Sequence, residues 1–146
     1  MKRIAKWLVD EQIIFTSMIG ALDVEDFEEL DANIISMIES SSSPEVHILS
    51  DISMMTTMPN IFQMAKLKYI AHPEVGFFVT QSRHPVERFI GRTVGQIINS
   101  RYKFVHDLDQ GVLFLTQLYP DLPSVEVLCK RVQIMQNEFM EQESVL

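Results

Sequence analysis

The stretch HILSDISMMTTMPN, from His47 to Asn60, places an aspartate ahead of several hydroxyl side chains. The residues of interest are Asp51, Ser53, Thr56 and Thr57. Pro59 favours the start of a helix just beyond them, and a helix N-terminus stabilises added negative charge through its N–H groups and dipole. The pattern predicts a phosphoryl-acceptor or switch loop. Ordinary loop hydroxyls that cap the helix are the alternative.

Arginines form a second candidate site, for an anion or for a protein partner. Its members are Arg83, Arg88, Arg92 and Arg101. Arg88 and Arg92 are one helical turn apart in a predicted helix, so their guanidinium groups share a face. Such groups pair bidentately with phosphates and carboxylates. A solvated helix face with Glu87 beside the arginines is the alternative interpretation.

Sequence patterns typical of metal, nucleotide and catalytic sites are absent. No two histidines have the i, i+4 spacing of a helical metal site, and Cys129 is the single cysteine. Gly91 and Gly95 lie inside a predicted helix, so they do not form a phosphate-binding loop. No serine lies in a nucleophile elbow. The sequence therefore predicts no cofactor, no metal and no enzymatic activity.

Composition narrows the class of protein. The chain has 146 residues, 47% of them apolar, which is enough for the core of one domain. Its net charge of -8 argues against nucleic-acid binding, which needs a basic surface. The lone cysteine and the lack of an apolar leader or a long apolar run predict a cytoplasmic protein with no membrane span.

The elements that must position these residues follow from apolar periodicity. Two β-rich runs, Ile4 to Val9 and Ile13 to Ile19, predict a hairpin, and Asp23 is the predicted N-cap of an amphipathic helix. Strands at 45–52, 75–80 and 101–105 then alternate with helices at 59–71, 84–100 and 107–119, the last with Asp107 and Gln110 as a capping box. This alternation predicts an α/β fold with a mixed, mostly parallel sheet covered by helices.

One more helix is predicted at the end of the chain. It carries an apolar stripe with alternating spacings of three and four residues: Val125, Leu128, Val132, Met135 and Phe139. We therefore divide the chain into an α/β domain over residues 1–122 and an amphipathic helix over residues 123–146. The stripe packs either on the domain itself or on a partner, which includes a second copy in a homodimer.

The element order and three segments resemble the STAS fold of bacterial anti-sigma-factor antagonists. The segments are IAHPEVGFFVT from Ile70, HPVERFIGRTVGQI from His84 and RYKFVHDLDQGVLFL from Arg101. They resemble most the bacterial STAS-like proteins that lack the usual phosphorylation motif. The resemblance covers about Ile4 to Leu122 and leaves the last helix unexplained.

The resemblance implies a regulatory, non-enzymatic module that binds a protein partner. In the antagonists, a partner kinase phosphorylates a serine that follows an aspartate before the second helix, which corresponds to the loop after Asp51. This sequence departs from that motif, because it has no glycine between Gly20 and Gly76 and carries Met54, Met55 and Met58 in the loop. Two alternatives stay open: a small-molecule or lipid carrier of related fold, and a structural homodimer built through the C-terminal helix.

Overall fold

A computed structural model describes residues 3–57, 66–81 and 101–145 of the chain. The strands are β1 (Arg3–Val9), β2 (Ile13–Gly20), β3 (Val46–Met55), β4 (Val75–Gln81) and β5 (Arg101–Val105). The helices are α1 (Val24–Ser40), α2 (Leu108–Leu118) and α3 (Val125–Val145). The predicted hairpin, the alternating strands and the final helix are therefore confirmed.

The five strands form a single sheet in the order β1-β2-β3-β4-β5. β1 and β2 are antiparallel, whereas β2, β3, β4 and β5 run parallel to one another. The parallel strands consequently end at one edge of the sheet, which we call the carboxyl edge. The mixed, mostly parallel sheet predicted from the sequence is confirmed.

Local signals explain where the helices begin. The Asp23 side chain accepts a hydrogen bond from the N–H of Asp26, and the Asp26 side chain accepts one from the N–H of Asp23, so α1 has a complete capping box. At α2 the Asp107 carboxylate accepts from the N–H of Gln110. The Gln110 side chain, however, accepts from the N–H of His106 instead of Asp107, so only half of the predicted box forms.

Helices cover both faces of the sheet and divide the core into two clusters. On one face α1 buries Leu30, Ile34 and Ile38 against the sheet. On the other face α2 and α3 pack over Phe15, Leu49 and related apolar residues of the sheet. Burying apolar surface on both faces is the main force that holds such a three-layer arrangement together.

The apolar stripe of α3 packs on the chain's own sheet. Leu128, Val132 and Phe139 are buried in the same cluster as the β-sheet residues, and Val125 and Met135 pack against that cluster. No helix in the described ranges is long and apolar enough to cross a bilayer. The domain boundary after residue 122 stays a prediction.

Two predicted boundaries were wrong. β3 runs to Met55 rather than ending near Asp51, because β2 continues to pair with it: Ile19 lies opposite Met54, beyond a register shift after Ser17. Residues 66–71 form turns instead of the end of a helix. There the Tyr69 N–H donates to the Asp31 carboxylate on α1, 2.9 Å away. The rest of the predicted helix at 59–71 and the whole of the one at 84–100 lie outside the described residues.

Candidate functional site

Three polar side chains lie side by side near the carboxyl edge of the sheet. Ser17 on β2 is in register with Asp51 on β3, and Asp51 is in register with Gln81 on β4. All three are buried, and Asp51 is only 5% exposed. We call these residues the carboxyl-end row. Buried polar groups at this edge of an α/β sheet are notable, because ligands of such folds bind there.

Asp51 is the centre of this row. Its Oδ1 atom accepts hydrogen bonds from the backbone N–H of Ser53 at 2.9 Å and from the Ser53 hydroxyl at 2.6 Å. Its Oδ2 atom accepts from the Nε2 amide of Gln136 on α3, also at 2.9 Å. A buried carboxylate needs such donors, because removing it from water without them is costly. Asp51 thereby joins β3 to the C-terminal helix.

A cleft of about 410 Å³ opens between the carboxyl-end row and α3, and we call it the Asp51 cleft. Gln136 and Asn137 of α3 add amide groups to its polar side. Met54, Phe139 and Met140 form its apolar side. The cleft therefore combines a carboxylate, amides and hydroxyls with an apolar wall, a composition typical of sites that orient a polar group.

The residues after Asp51 present their side chains at the surface, and we call Asp51–Thr57 the switch segment. Ser53, Met54, Thr56 and Thr57 are exposed. Ser53 lies within β3, contrary to the predicted loop, whereas Thr56 and Thr57 follow the strand as predicted. The segment is fixed at its end as well, because the N–H of Thr56 donates to the carbonyl of Gly20 at 2.9 Å. Whether any of these hydroxyls accepts a phosphoryl group stays a prediction.

The predicted arginine site falls largely outside the described residues, since Arg83, Arg88 and Arg92 all lie in the range 82–100. Arg101 is described and lies at the start of β5, paired with Phe77, whereas the carboxyl-end row aligns with Val105 at the end of that strand. Arg101 is therefore four residues along the strand from the Asp51 cleft. Its partners belong to a different cluster.

That second cluster lies at the opposite, amino end of the parallel strands and was not predicted from the sequence. Its members are Glu45, His47, Arg101 and Tyr119, and we call it the amino-end cluster. The Tyr119 hydroxyl donates to Glu45 Oε1 at 2.6 Å, and an Arg101 guanidinium nitrogen is 3.4 Å from the same oxygen. The His47 ring packs on the Tyr119 ring with centroids 4.2 Å apart.

His47 is held as a neutral imidazole within this cluster. The N–H of Phe77 donates to His47 Nδ1 at 3.0 Å, so the neutral ring carries its proton on Nε2, which lies 3.8 Å from Glu45 Oε1. Burial lowers the pKa of His47 below the ordinary value of 6.5 for histidine, and the negative charge of Glu45 opposes this shift. Burial also raises the pKa of Tyr119 to about 12, with its hydrogen bond to Glu45 adding to the rise.

The amino-end cluster is also closely packed around Gly76. A Cβ atom at that position would lie 2.3 Å from Glu45 Oε1 and 2.4 Å from His47 Cε1. Only a glycine fits there, because such distances are far shorter than van der Waals contact. The cluster thus has no room for an added side chain at this point. Within the described ranges no group of three or more His, Cys, Asp or Glu side chains is placed to hold a metal ion.

Comparisons with known proteins identify the fold. No protein-family model matches the chain, and no curated protein is similar to it in sequence. Among solved structures, it is similar to an uncharacterized protein of the DUF3478 family from Shewanella loihica PV-4, described as having a SpoIIAA-like fold. The TM-score is 0.59 at 17% identity, over 77% of this chain and 91% of that one. The fold is STAS-like. The resemblance predicted from the sequence is confirmed at the level of the fold, and the STAS-like sheet places the switch segment at the carboxyl edge.

Proposed function

We propose that this protein is a non-enzymatic regulatory module of STAS type that binds another protein through the switch segment. The observation that carries the proposal is the arrangement of that segment. Exposed side chains of Ser53, Met54, Thr56 and Thr57 project from a backbone that is tied to β2 and, through Asp51, to α3. Side chains on a fixed backbone lose little entropy on binding, which favours recognition of a specific partner.

Met54 is the apolar centre of the proposed contact. Met54 is 47% exposed although it lies within a strand of the sheet. Met140 lines the same Asp51 cleft and is 45% exposed. Two neighbouring exposed methionines form a flexible apolar surface of the kind that adapts to protein partners. The surrounding hydroxyls supply polar contacts at its rim.

The test compares substitutions at two similarly exposed apolar residues in the full-length chain. Tagged wild type, Met54→Glu and Leu113→Glu are expressed in native cells, and co-purifying proteins are quantified by mass spectrometry. Leu113 lies on α2 and is 44% exposed, so it controls for the introduced charge. We expect one protein to be retained by wild type and Leu113→Glu and to fall by about tenfold with Met54→Glu. Equal recovery of every co-purifying protein with all three forms would overturn the proposal.

Phosphorylation of the switch segment is the proposed form of regulation. A phosphoryl group adds about -1.5 to -2 charges, which would change what this surface can bind. Thr56 and Thr57 are the favoured acceptors, because the Ser53 hydroxyl is bonded to the Asp51 carboxylate and a phosphate there would meet a like charge. Mass spectrometry of protein from native cells tests this: a phosphate on Thr56 or Thr57 supports the switch, and a chain unmodified under all growth conditions contradicts it.

A ligand carrier is the second candidate, and one cleft favours it. This cleft measures about 920 Å³ and lies between α1 and the turn at residues 66–68. Phe27 and Ile35 contribute apolar surface, and the charged side chains that line the cleft are Glu28, Asp31, Glu39, Lys66 and Lys68. A cleft with apolar surface and charges of both signs fits a small amphipathic molecule. Native mass spectrometry of the purified protein tests this, because a carrier retains a non-covalent mass that denaturation removes.

A further inference from the structure

We propose that the Asp51 cleft binds the guanidinium group of an arginine side chain from the protein partner. This inference rests on the proposed function and names the chemistry by which the partner is anchored. It begins from the charge of the cleft. Asp51 contributes a carboxylate, and none of the described residues that line the cleft carries a positive charge.

The hydrogen bonds of Asp51 leave room for one more donor. A carboxylate offers about four lone-pair sites, and Oδ1 uses two of them for the N–H and hydroxyl of Ser53. Among the described residues Oδ2 accepts from Gln136 alone, which leaves one site for a further donor. A cationic donor at that site gains a charge-assisted hydrogen bond, which is stronger than a bond between neutral groups.

The neighbouring groups suit a planar, multidentate donor. Gln81 and Ser17 are buried beside Asp51 in the carboxyl-end row, both line the cleft, and each has a side-chain oxygen that can accept a hydrogen bond. A guanidinium has five N–H donors in a fixed plane and no acceptor, so it can bond to several of these oxygens at once. An ammonium group is a compact point charge and lacks this planar arrangement of donors.

The apolar side of the cleft suits the rest of an arginine side chain. Met54, Phe139 and Met140 provide a surface for its three methylene groups, which pack on apolar atoms while the charged head bonds elsewhere. The cleft volume of about 410 Å³ is in the range of small-ligand sites. Charge, hydrogen bonding and shape therefore favour the same occupant, and the chain's net charge of -8 would attract a basic partner.

The experiment uses N-acetyl-arginine N-methylamide as the probe and the citrulline analogue as its uncharged isostere. The full-length 15N-labelled protein is titrated with each and followed by NMR. We expect the arginine compound to shift the side-chain amide signals of Gln81 and Gln136 with a millimolar Kd, and the citrulline compound to bind about tenfold more weakly. Equal binding of the two compounds, or shifts confined to other residues, would overturn the inference.

Two variants locate the effect. Asp51→Asn keeps the size of the side chain: its oxygen can still accept from Ser53, and its amide N–H can donate to the Gln136 oxygen once the Gln136 amide is turned over. We expect it to weaken arginine binding by about tenfold. Glu138→Gln removes one negative charge from an exposed position on the same helix and should leave binding within about twofold. If both variants weaken binding equally, the effect is general charge attraction and the site is refuted. The comparison of the two probes in the wild type does not depend on whether Asp51→Asn folds.

The outcome is distinguishable from that of the proposed function. A partner that co-purifies with wild type and is lost with Met54→Glu, together with no preference for arginine over citrulline, would leave the protein-binding surface standing and refute the arginine site. Arginine binding at Asp51 without any partner sensitive to Met54→Glu would refute the protein-binding surface instead.

Discussion

The two ends of the sheet carry polar clusters of different kinds on the face covered by α2 and α3. At the amino end, Glu45, His47 and Tyr119 bond to one another or to backbone, and Gly76 leaves no space beside them. At the carboxyl end, Asp51 also has donors, but a cleft opens next to it and exposed side chains follow. Closed packing favours stability and an open polar cleft favours binding, so we assign structure to the first and function to the second.

Gly76→Ala should give the largest loss of stability and tests whether the amino end is closed. The new methyl group would displace Glu45 or His47, and overpacking of this kind costs about 3 kcal/mol in the free energy of unfolding. Urea denaturation measures it. Gly20→Ala is the control: its φ of 79° is unfavourable for alanine, but no atom lies within 4 Å of the added Cβ, so about 1 kcal/mol is expected. A similar small loss in the free energy of unfolding for both variants would mean that the amino-end cluster can accommodate an added methyl group.

Gln136→Ala tests the link between the carboxyl-end row and α3. It removes the amide that donates to the buried Asp51 carboxylate, and the loss of such a bond to a charged group costs about 2 kcal/mol. Gln133→Ala, an exposed position on the same helix, controls for the change in helix propensity and should stay within about 0.5 kcal/mol. Equal effects of the two substitutions would show that Asp51 does not hold α3.

Tyr119→Phe tests the hydrogen bond between α2 and the start of β3. Removing the hydroxyl that donates to Glu45 should lower the free energy of unfolding by about 1 kcal/mol, because the site is partly open to solvent. Glu45→Ala, which removes the acceptor, completes a double-mutant cycle. A cycle in which the two effects simply add would indicate that the contact contributes nothing.

His47→Asn separates the smallest effect, which is the dependence of stability on pH, from a pH-independent loss of packing beside Tyr119. The pKa of His47 is lowered in the folded state, so below about pH 6.5 the unfolded chain binds a proton that the folded chain resists, and wild-type stability falls as the pH falls. Above that pH His47 is neutral in both the folded and the unfolded chain, so it no longer makes stability depend on pH. Asparagine keeps an acceptor for the N–H of Phe77 but does not titrate. Thermal unfolding at pH 8 and pH 5.5 should show a smaller decline for the variant, and identical declines would contradict a buried neutral imidazole.

The same contrast explains what the sequence could predict. Local patterns determine much of the fold. The acidic cap at Asp23 marks the start of α1, and the spacing of Leu30, Ile34 and Ile38 marks its buried face. The sites depend instead on distant pairs. Gln136 meets Asp51 across 85 residues and Tyr119 meets Glu45 across 74, and no local periodicity reports such contacts.

The wrong end of β3 has the same origin. A polar run after Asp51 is typical of a loop, but pairing with β2 beyond the register shift keeps Ser53 and Met54 in the strand. Tertiary pairing of this kind overrides local propensity. The hydroxyls of Ser53, Thr56 and Thr57 are exposed, and their role as a switch stays a prediction.

Site-specific photocrosslinking tests whether the switch segment contacts a partner protein. A benzophenone amino acid is placed at Met54, and in a separate chain at Leu113, and each protein is irradiated in its native cells. We expect a discrete crosslink to one protein from position 54 and none to that protein from position 113. Crosslinks to the same protein from both positions, or from position 113 alone, would contradict a partner-binding surface at the carboxyl edge of the sheet.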